Sequence, residues 1–507
     1  MRTSANELIE QLLDTDSFVS WDGSPLDVDP SPEYQLELAK AAQRSGTDES
    51  VVTGEGRLRG RRVAIIACEF DFLAGSIGVA AAERIVTAVE RATELGLPLI
   101  ASPTSGGTRM QEGTIAFVQM IKIAGAVAMH KRAGLPYLVY LRNPTMGGVF
   151  ASWGSLGHIT FAEPGALIGF LGPRVYEALY GKPFPEGVQT AESLYRNGVI
   201  DGVVTGPVFR RIAHRTLSVA SGDVVEPREP QWANMIRDAP SSTEEVSAWD
   251  SVLISRSPNR PGLRDLLRHA TQRVLLSGTG QGETDRTCVL ALARFAGQPC
   301  VVFGHDRTGQ DGEQTMGPAA LREARRAMAL AQELRLPLVT VIDTVGAALS
   351  KEAEERGLAP EIARCLADLV TLETPTLAVL LGQGTGGGAL ALLPADRVLA
   401  ARHGWLAPLP PEGASAIVYR DTAHAPKLAD AQGISSAELL NDGIVDRIID
   451  ENPDAATEPV DFALRTVLAI ADELADLRAE TPDELRERRH NRYRRLGIAE
   501  KHTARLR

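Results

Sequence analysis

The sequence predicts an α/β protein made of two tandem copies of one layered domain, on three observations. Short apolar runs alternate with amphipathic helical stretches along most of the 507 residues. The same blocks return at a nearly constant offset: Pro98 and Pro337 stand 239 positions apart, as do Pro136 and Pro375, while Gly148 and Gly388 stand 240 apart. Each copy also places glycine-bearing turns where an apolar run ends and a helix begins, at Gly106–Gly107 and Gly147–Gly148, then at Gly346 and Gly387–Gly388.

Taken in order, residues 1–60 are irregular, with one short helix and the stretch "WDGSPLDVDPSPEY", and are expected to form an N-terminal extension. The first domain, 61–223, opens on the strand "RRVAIIACEF" and the helix "IGVAAAERIVTAVERATELG". There follow the strand "LGLPLIA", the turn "SPTSGGTRMQEG", a helix from Glu112, the strand "LPYLVYL" and the Gly147–Gly148 turn. Residues 224–250 are polar and proline-bearing and read as a linker. The second domain, 251–475, repeats the order with "QPCVVFG", "GPAALREARRAMALAQELR", "LRLPLVTVIDTVG" and "TPTLAVLLGQGTGGGALAL". The tail, 476–507, is basic and is expected to be a solvated helix or a contact with an acidic partner.

Composition narrows the function. The chain is 44% hydrophobic and 23% charged, as soluble globular proteins are, with a net charge of -12 and only 5% aromatic residues. Acidity and scarce aromatics argue against nucleic acid as a ligand. Cys68, Cys288, Cys300 and Cys365 are scattered, without a Cys-x-x-Cys pair, so no zinc ribbon or disulfide framework is expected. Reduced thiols, an acidic N-terminus and no apolar run of bilayer length lead to a cytoplasmic expectation, with no membrane partner.

Consecutive glycines leave a backbone N–H open to a developing oxyanion, because no Cβ crowds the approach. A helix starting there adds positive potential. Such donors suit enolate formation from a thioester, where losing one costs roughly 3 kcal/mol. One lone Gly-Gly turn is more often tight packing; two at equivalent places in a duplicated chain favour a site. Competing motifs are weaker. "GQGTGG" matches G-x-G-x-x-G, but the acidic residue about 20 positions on is missing. Lys182 of the lone Gly-Lys pair precedes Pro183, which excludes a P-loop, and no metal-ligand spacing of histidines occurs. Asp343 and Glu355 are charged loop residues of the kind that more often cap or solvate than catalyse.

With these residues the sequence resembles the carboxyltransferase component of biotin-dependent acyl-CoA carboxylases, in its fused beta/alpha acetyl-CoA form. The first half carries "SGGTRMQEG", "PTMGGVFASWGSLGHITFAEPGALIGFLGPRV" and "PEGVQTAESLYRNGVID". The second carries "IDTVGAALSKEAEERGLAPEIARCLADL", "GQGTGGGALAL" and "PPEGASAI". The resemblance implies two crotonase-like ββα superhelical domains, the beta-type one holding acyl-CoA and the alpha-type one receiving carboxybiotin from a carrier protein. It implies that the amides of Gly147 and Gly148 face the thioester oxygen and those of Gly388 and Ala389 the biotin ureido oxygen. Gly106, Gly107, Arg109 and Lys122 fall on the CoA side, the two cations as phosphate contacts; Gly346, Ala347 and Gly387 fall on the biotin side. The implied partners are a biotin carboxylase, a biotin carboxyl carrier protein and further copies of this chain, with the site between the first half of one copy and the second half of another; no bound metal is implied. The implied activity is carboxyl transfer from carboxybiotin to a short acyl-CoA, acetyl-CoA giving malonyl-CoA for fatty-acid synthesis. A biotin-linked decarboxylase and a non-catalytic structural subunit remain the alternatives. The chain departs from the family in lacking the four-cysteine zinc ribbon and in reading "DTVGAALS" where "DTPGAYPG" is usual.

Overall fold

The computed structural model describes residues 2–225, 246–310 and 314–497. Most of the expected linker, at 226–245, lies outside the described residues. The chain divides into two compact units, unit 1 being Met1–Ser221 with Leu276–Glu283 and unit 2 Gly222–Leu275 with Thr284–Arg507.

Unit 1 holds a seven-stranded sheet whose order is β1 (Val19–Ser20), β2 (Val51–Leu58), β3 (Arg61–Cys68), β4 (Leu99–Ser102), β5 (Tyr137–Leu141), β7 (Ile159–Ala162) and β9 (Gly202–Val203). A two-stranded pair, β6 (Thr145–Met146) with β8 (Ile168–Gly169), stands apart from it. β2 and β3 form an antiparallel hairpin, Val51 opposite Cys68, and β3 to β9 run parallel. Parallel strands are covered on both faces and so read as unbroken apolar runs; every residue of β5 is buried. Helix α1 (Val79–Glu94) turns Ala81, Ile85, Ala88 and Ala92 inward at three- and four-residue spacing. They join Ile66, Leu99, Val139 and Trp153 in the core.

Helix α2 (Gly113–Arg132) follows a short 3-10 turn at Met110–Glu112. It buries Ala116, Met120, Ile123 and Val127, yet also exposes Ile115, Phe117, Val118 and Ile121, the last at 73%. The stretch Met110–Arg132 has the length and apolar composition to cross a bilayer. That corrects the expectation that no run reaches such a length. Gln119 and Lys122 interrupt the apolar string, with Ile115–Val118 before them and Ile123–Met129 after them carrying no charged residue.

Unit 2 repeats the plan. Its sheet orders β10 (Gln272–Leu276), β11 (Cys288–Phe295), β12 (Gln298–His305), β13 (Leu338–Thr344), β14 (Thr376–Thr385), β15 (Arg397–Ala401) and β17 (Arg447–Ile449), with β16 (Trp405–Ala407) beside the end of β14. β11 and β12 are antiparallel, and the strands from β12 to β17 are parallel. Helix α3 (Pro318–Leu334) follows β12, α4 (Leu358–Thr371) follows β13, and the one-turn α5 (Gly386–Leu390) follows β14. The register itself is duplicated. Leu99 pairs with Tyr137 and Leu338 with Thr376, each residue 239 positions from its counterpart.

In the basic tail, helix α6 (Pro482–Arg495) is mostly exposed, with two buried residues, Leu485 and Arg489. The helix lays Arg489 into unit 2, where it is fully buried. Its guanidinium donates to Asp396 at 3.0 and 2.7 Å and to the carbonyls of Leu369, Leu372 and Thr374. Those are the last carbonyls of α4 and the chain just after it, which a helix end leaves without intrahelical donors. All four cysteines are buried and unpaired.

Candidate active site

Each unit brings its two glycine turns together at the carboxyl ends of adjacent parallel strands, the usual place for a ligand in an α/β layer. In unit 1 the first turn leaves β4. The Ser105 hydroxyl accepts from Gly107 N–H at 3.0 Å, and Ser105 pairs across to Thr145. In unit 2 the first turn leaves β13, and the Thr344 hydroxyl accepts from Gly346 N–H at 3.1 Å, with Thr344 paired to Gly384. The second turns also match, since Gly147 at φ +64° and Gly386 at +61° are both left-handed, a region that side chains disfavour. Gly147 and Gly386 are 239 apart, so by register Gly148 corresponds to Gly387. The expected match of Gly148 with Gly388 is one residue too far, because unit 2 has three glycines in a row where unit 1 has two.

The amides differ in availability. Gly147 N–H is spent on the Gly169 carbonyl at 3.0 Å, so Gly147 shapes the turn and is not a donor to a ligand. Gly148 N–H meets no acceptor among the described residues, and neither does that of its neighbour Val149, which sequence reasoning did not single out. In unit 2, Gly388 N–H lies in the first turn of α5, where helix geometry supplies no partner, whereas Ala389 stands four residues after the cap Thr385, where the helix closes its first bond. A Cβ on Gly388 would stand 3.2 Å from Ala347 N and 3.3 Å from Gly346 C, so the second turn is seated on the backbone of the first. Thr385, at the N-cap position of α5, has a buried hydroxyl with no partner among the described residues. Gly387 packs its α-carbon side against Ile362 of α4.

The remaining unit 1 residues separate. Gly106 is exposed, but its N–H is taken by the Ala74 carbonyl at 2.8 Å. Gly107 is buried opposite Gly147, which leaves the two turns in contact. Arg109 is fully buried, and its guanidinium is spent on Glu49, Tyr34, Ser50 and Ser76. That leaves no edge for a phosphate, so Arg109 ties the N-terminal segment to the turn instead. Lys122 stays accessible on α2 with its side chain 42% exposed, paired to Glu83. Among the described residues, no group of three or more His, Cys, Asp or Glu is placed to hold a metal ion.

The unit 2 turns are braced by charge. Asp343, at the end of β13, is 3% exposed. It accepts from Gln383 N–H at 3.1 Å and from Arg307 at 2.9 Å. Neither Arg307 nor Gln310, which lies beside it, was singled out from the sequence.

A carboxyl transferase domain model matches residues 2–489. A Mycobacterium tuberculosis protein described as "Probable biotin-dependent acyl-coenzyme A carboxylase beta3 subunit" is 64% identical over 498 residues, which cover 98% of this chain and 99% of that one. The Salinispora tropica "Acetyl-coenzyme A carboxylase carboxyl transferase subunits beta/alpha" is 38% identical over 98% of this chain and 91% of its own length. Among solved structures, transcarboxylase 12S with methylmalonyl-coenzyme A bound superposes with a TM-score of 0.70 at 21% identity, covering 92% of this chain and 90% of that one. This last likeness establishes the fold, two crotonase-like domains in tandem.

Proposed function

The chain belongs to the carboxyl transferase family of biotin-dependent acyl-CoA carboxylases, and on that premise we propose that it transfers a carboxyl group from carboxybiotin to acetyl-CoA, giving malonyl-CoA for fatty-acid synthesis. The observation that carries the reading is the pair of turns with acceptor-free amides, one in each unit: Gly148 and Val149 in the first, and Gly388 in the second. Backbone donors held in place before reaction stabilise charge as it develops, without reorganisation at the moment of reaction. Gly148 and Val149 hold the thioester oxygen while it carries enolate charge. Gly388 holds the ureido oxygen of biotin. The unit 2 turns fit that group, since the Gly388 amide and the Thr385 hydroxyl, which has no partner among the described residues, lie at a turn where a Cβ on Gly388 would crowd. Carboxybiotin, brought by a carrier protein, supplies the CO2 and then a ureido nitrogen as base, so no side-chain acid or base is needed. Lys122 is the cation left to meet a CoA phosphate. The relative at 38% identity whose name specifies acetyl-CoA supports that substrate.

The chain works in the cytoplasm as a homo-oligomer, with a biotin carboxylase and a biotin carboxyl carrier protein as partners. The exposed apolar side of α2 is the kind of surface a further copy covers. The half-reaction tests the proposal without partners or ATP. Purified chain incubated with malonyl-CoA and free biotin is expected to release acetyl-CoA only when biotin is present, and faster than it decarboxylates methylmalonyl-CoA. Preference for methylmalonyl-CoA would overturn the substrate. No turnover with any acyl-CoA would overturn the transferase and leave a structural subunit.

A further inference from the structure

Unit 2 contains a buried polar network that the transfer scheme does not use. We propose that the loop Asp306–Gln310 is the positioning element of the biotin-side cradle, with Arg307 and Gln310 fixing the spacing of its two glycine turns through Asp343 and Thr344. The inference rests on the reading above, in that it takes Gly388 to be the donor whose placement matters.

Arg307 donates to Asp343 at 2.9 Å with one nitrogen and to the carbonyls of Ser255 and Ser257 at 2.7 and 2.9 Å with another. The other oxygen of Asp343 accepts from Gln383 N–H, one strand over, at the start of the G-T-G-G-G turn. Gln310 donates from Nε2 to the Asp343 carbonyl at 2.8 Å and accepts at Oε1 from the Thr344 hydroxyl at 2.7 Å. Thr344 in turn closes on Gly346. One loop thus grips the end of β13 by side chain and backbone, and reaches β14 through a single carboxylate. At the head of the loop, His305 Nδ1 accepts from Asp343 N–H at 3.3 Å. Burial pushes that imidazole down to about 4, so it is neutral at pH 7 and free to accept.

The charges are not themselves a ligand site. A cavity of about 480 Å³ lies beside the loop, lined among others by Arg256, Arg264, Arg307, Gln310, Val345 and Gln383. Each of its arginines already has a carboxylate: Arg256 has Glu412, Arg260 has Glu451, Arg264 has Asp306, and Arg307 has Asp343. What the network can do is hold shape. Cradle donors act only if held to a fraction of an ångström, and a misplacement of about 1 Å can cost roughly a hundredfold in rate.

The test uses Gln310→Ala, with Thr344→Val as a second route to the same lost bond and Thr344→Ser as rescue. Hydrogen–deuterium exchange of the full chain is read at residues 343–350 and 382–392, with 102–113 of unit 1 as control. Both disruptive variants are expected to speed exchange in the two unit 2 segments and leave the control unchanged. In the half-reaction, KM for free biotin should rise about tenfold with KM for malonyl-CoA unchanged, and Thr344→Ser should restore both readouts. Unaltered exchange in either variant, or an equal rise in both KM values, would overturn the inference. A wild-type chain without biotin-dependent turnover would defeat the proposed function instead, and the exchange result would still decide whether the loop sets the turns.

Discussion

In unit 1 the two turns are tied by Thr104, whose hydroxyl donates to the Pro144 carbonyl at 3.1 Å. In unit 2 the same positions, 239 further on, are Asp343 and Gln383, and the tie runs the other way, from Gln383 N–H to the carboxylate. The difference starts with one backbone atom. Proline has no N–H, so only its carbonyl can take part and a small donor suffices. Gln383 offers an N–H, and the acceptor used is a buried carboxylate. A buried carboxylate needs a cation, which is why Arg307 and its loop are present in unit 2 and have no equivalent role at Thr104. The duplicated backbone was thus kept while its brace changed from a neutral bond to an ion pair.

Substitution at the brace should separate the units most. Asp343→Ala strands a largely buried Arg307 and is expected to cost about 3–5 kcal/mol of stability. Thr104→Val removes a neutral bond and should cost about 1 kcal/mol. Chemical denaturation of both variants measures this, and equal costs would break the comparison. Next come the amides. A methyl on Gly388 meets backbone at 3.2 Å, whereas one on Gly148 meets the flexible Met120 side chain at 3.3 Å. Gly388→Ala should therefore lower biotin-dependent turnover about a hundredfold and Gly148→Ala several-fold less, both read in the malonyl-CoA half-reaction.

The smallest contrast lies on the first helix of each unit. Arg84 on α1 pairs with Asp22 and Asp48, while its counterpart on α3 is Glu323, which is 3% exposed. Burial raises the Glu323 carboxyl to about 7 from 4.5, despite a bond from Asp285 N–H at 2.8 Å. A carboxyl raised in the fold favours folding while neutral. Its contribution is complete below about 4.5 and is lost as pH rises through about 7. Glu323→Gln keeps the acceptor and removes the titration. Relative to wild type it should gain about 3 kcal/mol at pH 8 and almost nothing at pH 4, measured as Tm at both values.

The duplication was legible because parallel strands are contiguous apolar runs and their turns carry fixed glycines and prolines. The hairpin partners were not. β2 fell within the residues 1–60 read as irregular, since "VVTGEGRL" holds Gly54 and Gly56, yet a Cβ at Gly54 would lie 2.4 Å from the Val19 carbonyl; the glycine makes room for the chain crossing it. The glycine turns were found, with one slip of register and with Gly147 taken for a donor when its N–H is engaged. What sequence could not reveal were polar side chains whose partners lie far along the chain. Arg307 reaches Asp343 36 residues on, and Arg109 finds Glu49 60 residues back. A cation beside a glycine turn looks the same in sequence whether it faces a phosphate or a buried carboxylate.

Asp396 and Arg489 are separated by 93 residues and are both fully sequestered when paired. A ribosome adding about 5–20 residues per second takes several seconds to cover that distance. Throughout that interval the emerging chain carries a carboxylate that cannot yet be closed away, and the carbonyls after Leu369 wait for the same guanidinium. A chain that ends ahead of Arg489 therefore leaves Asp396 and the carbonyls of Leu369, Leu372 and Thr374 without the donor that closes them away.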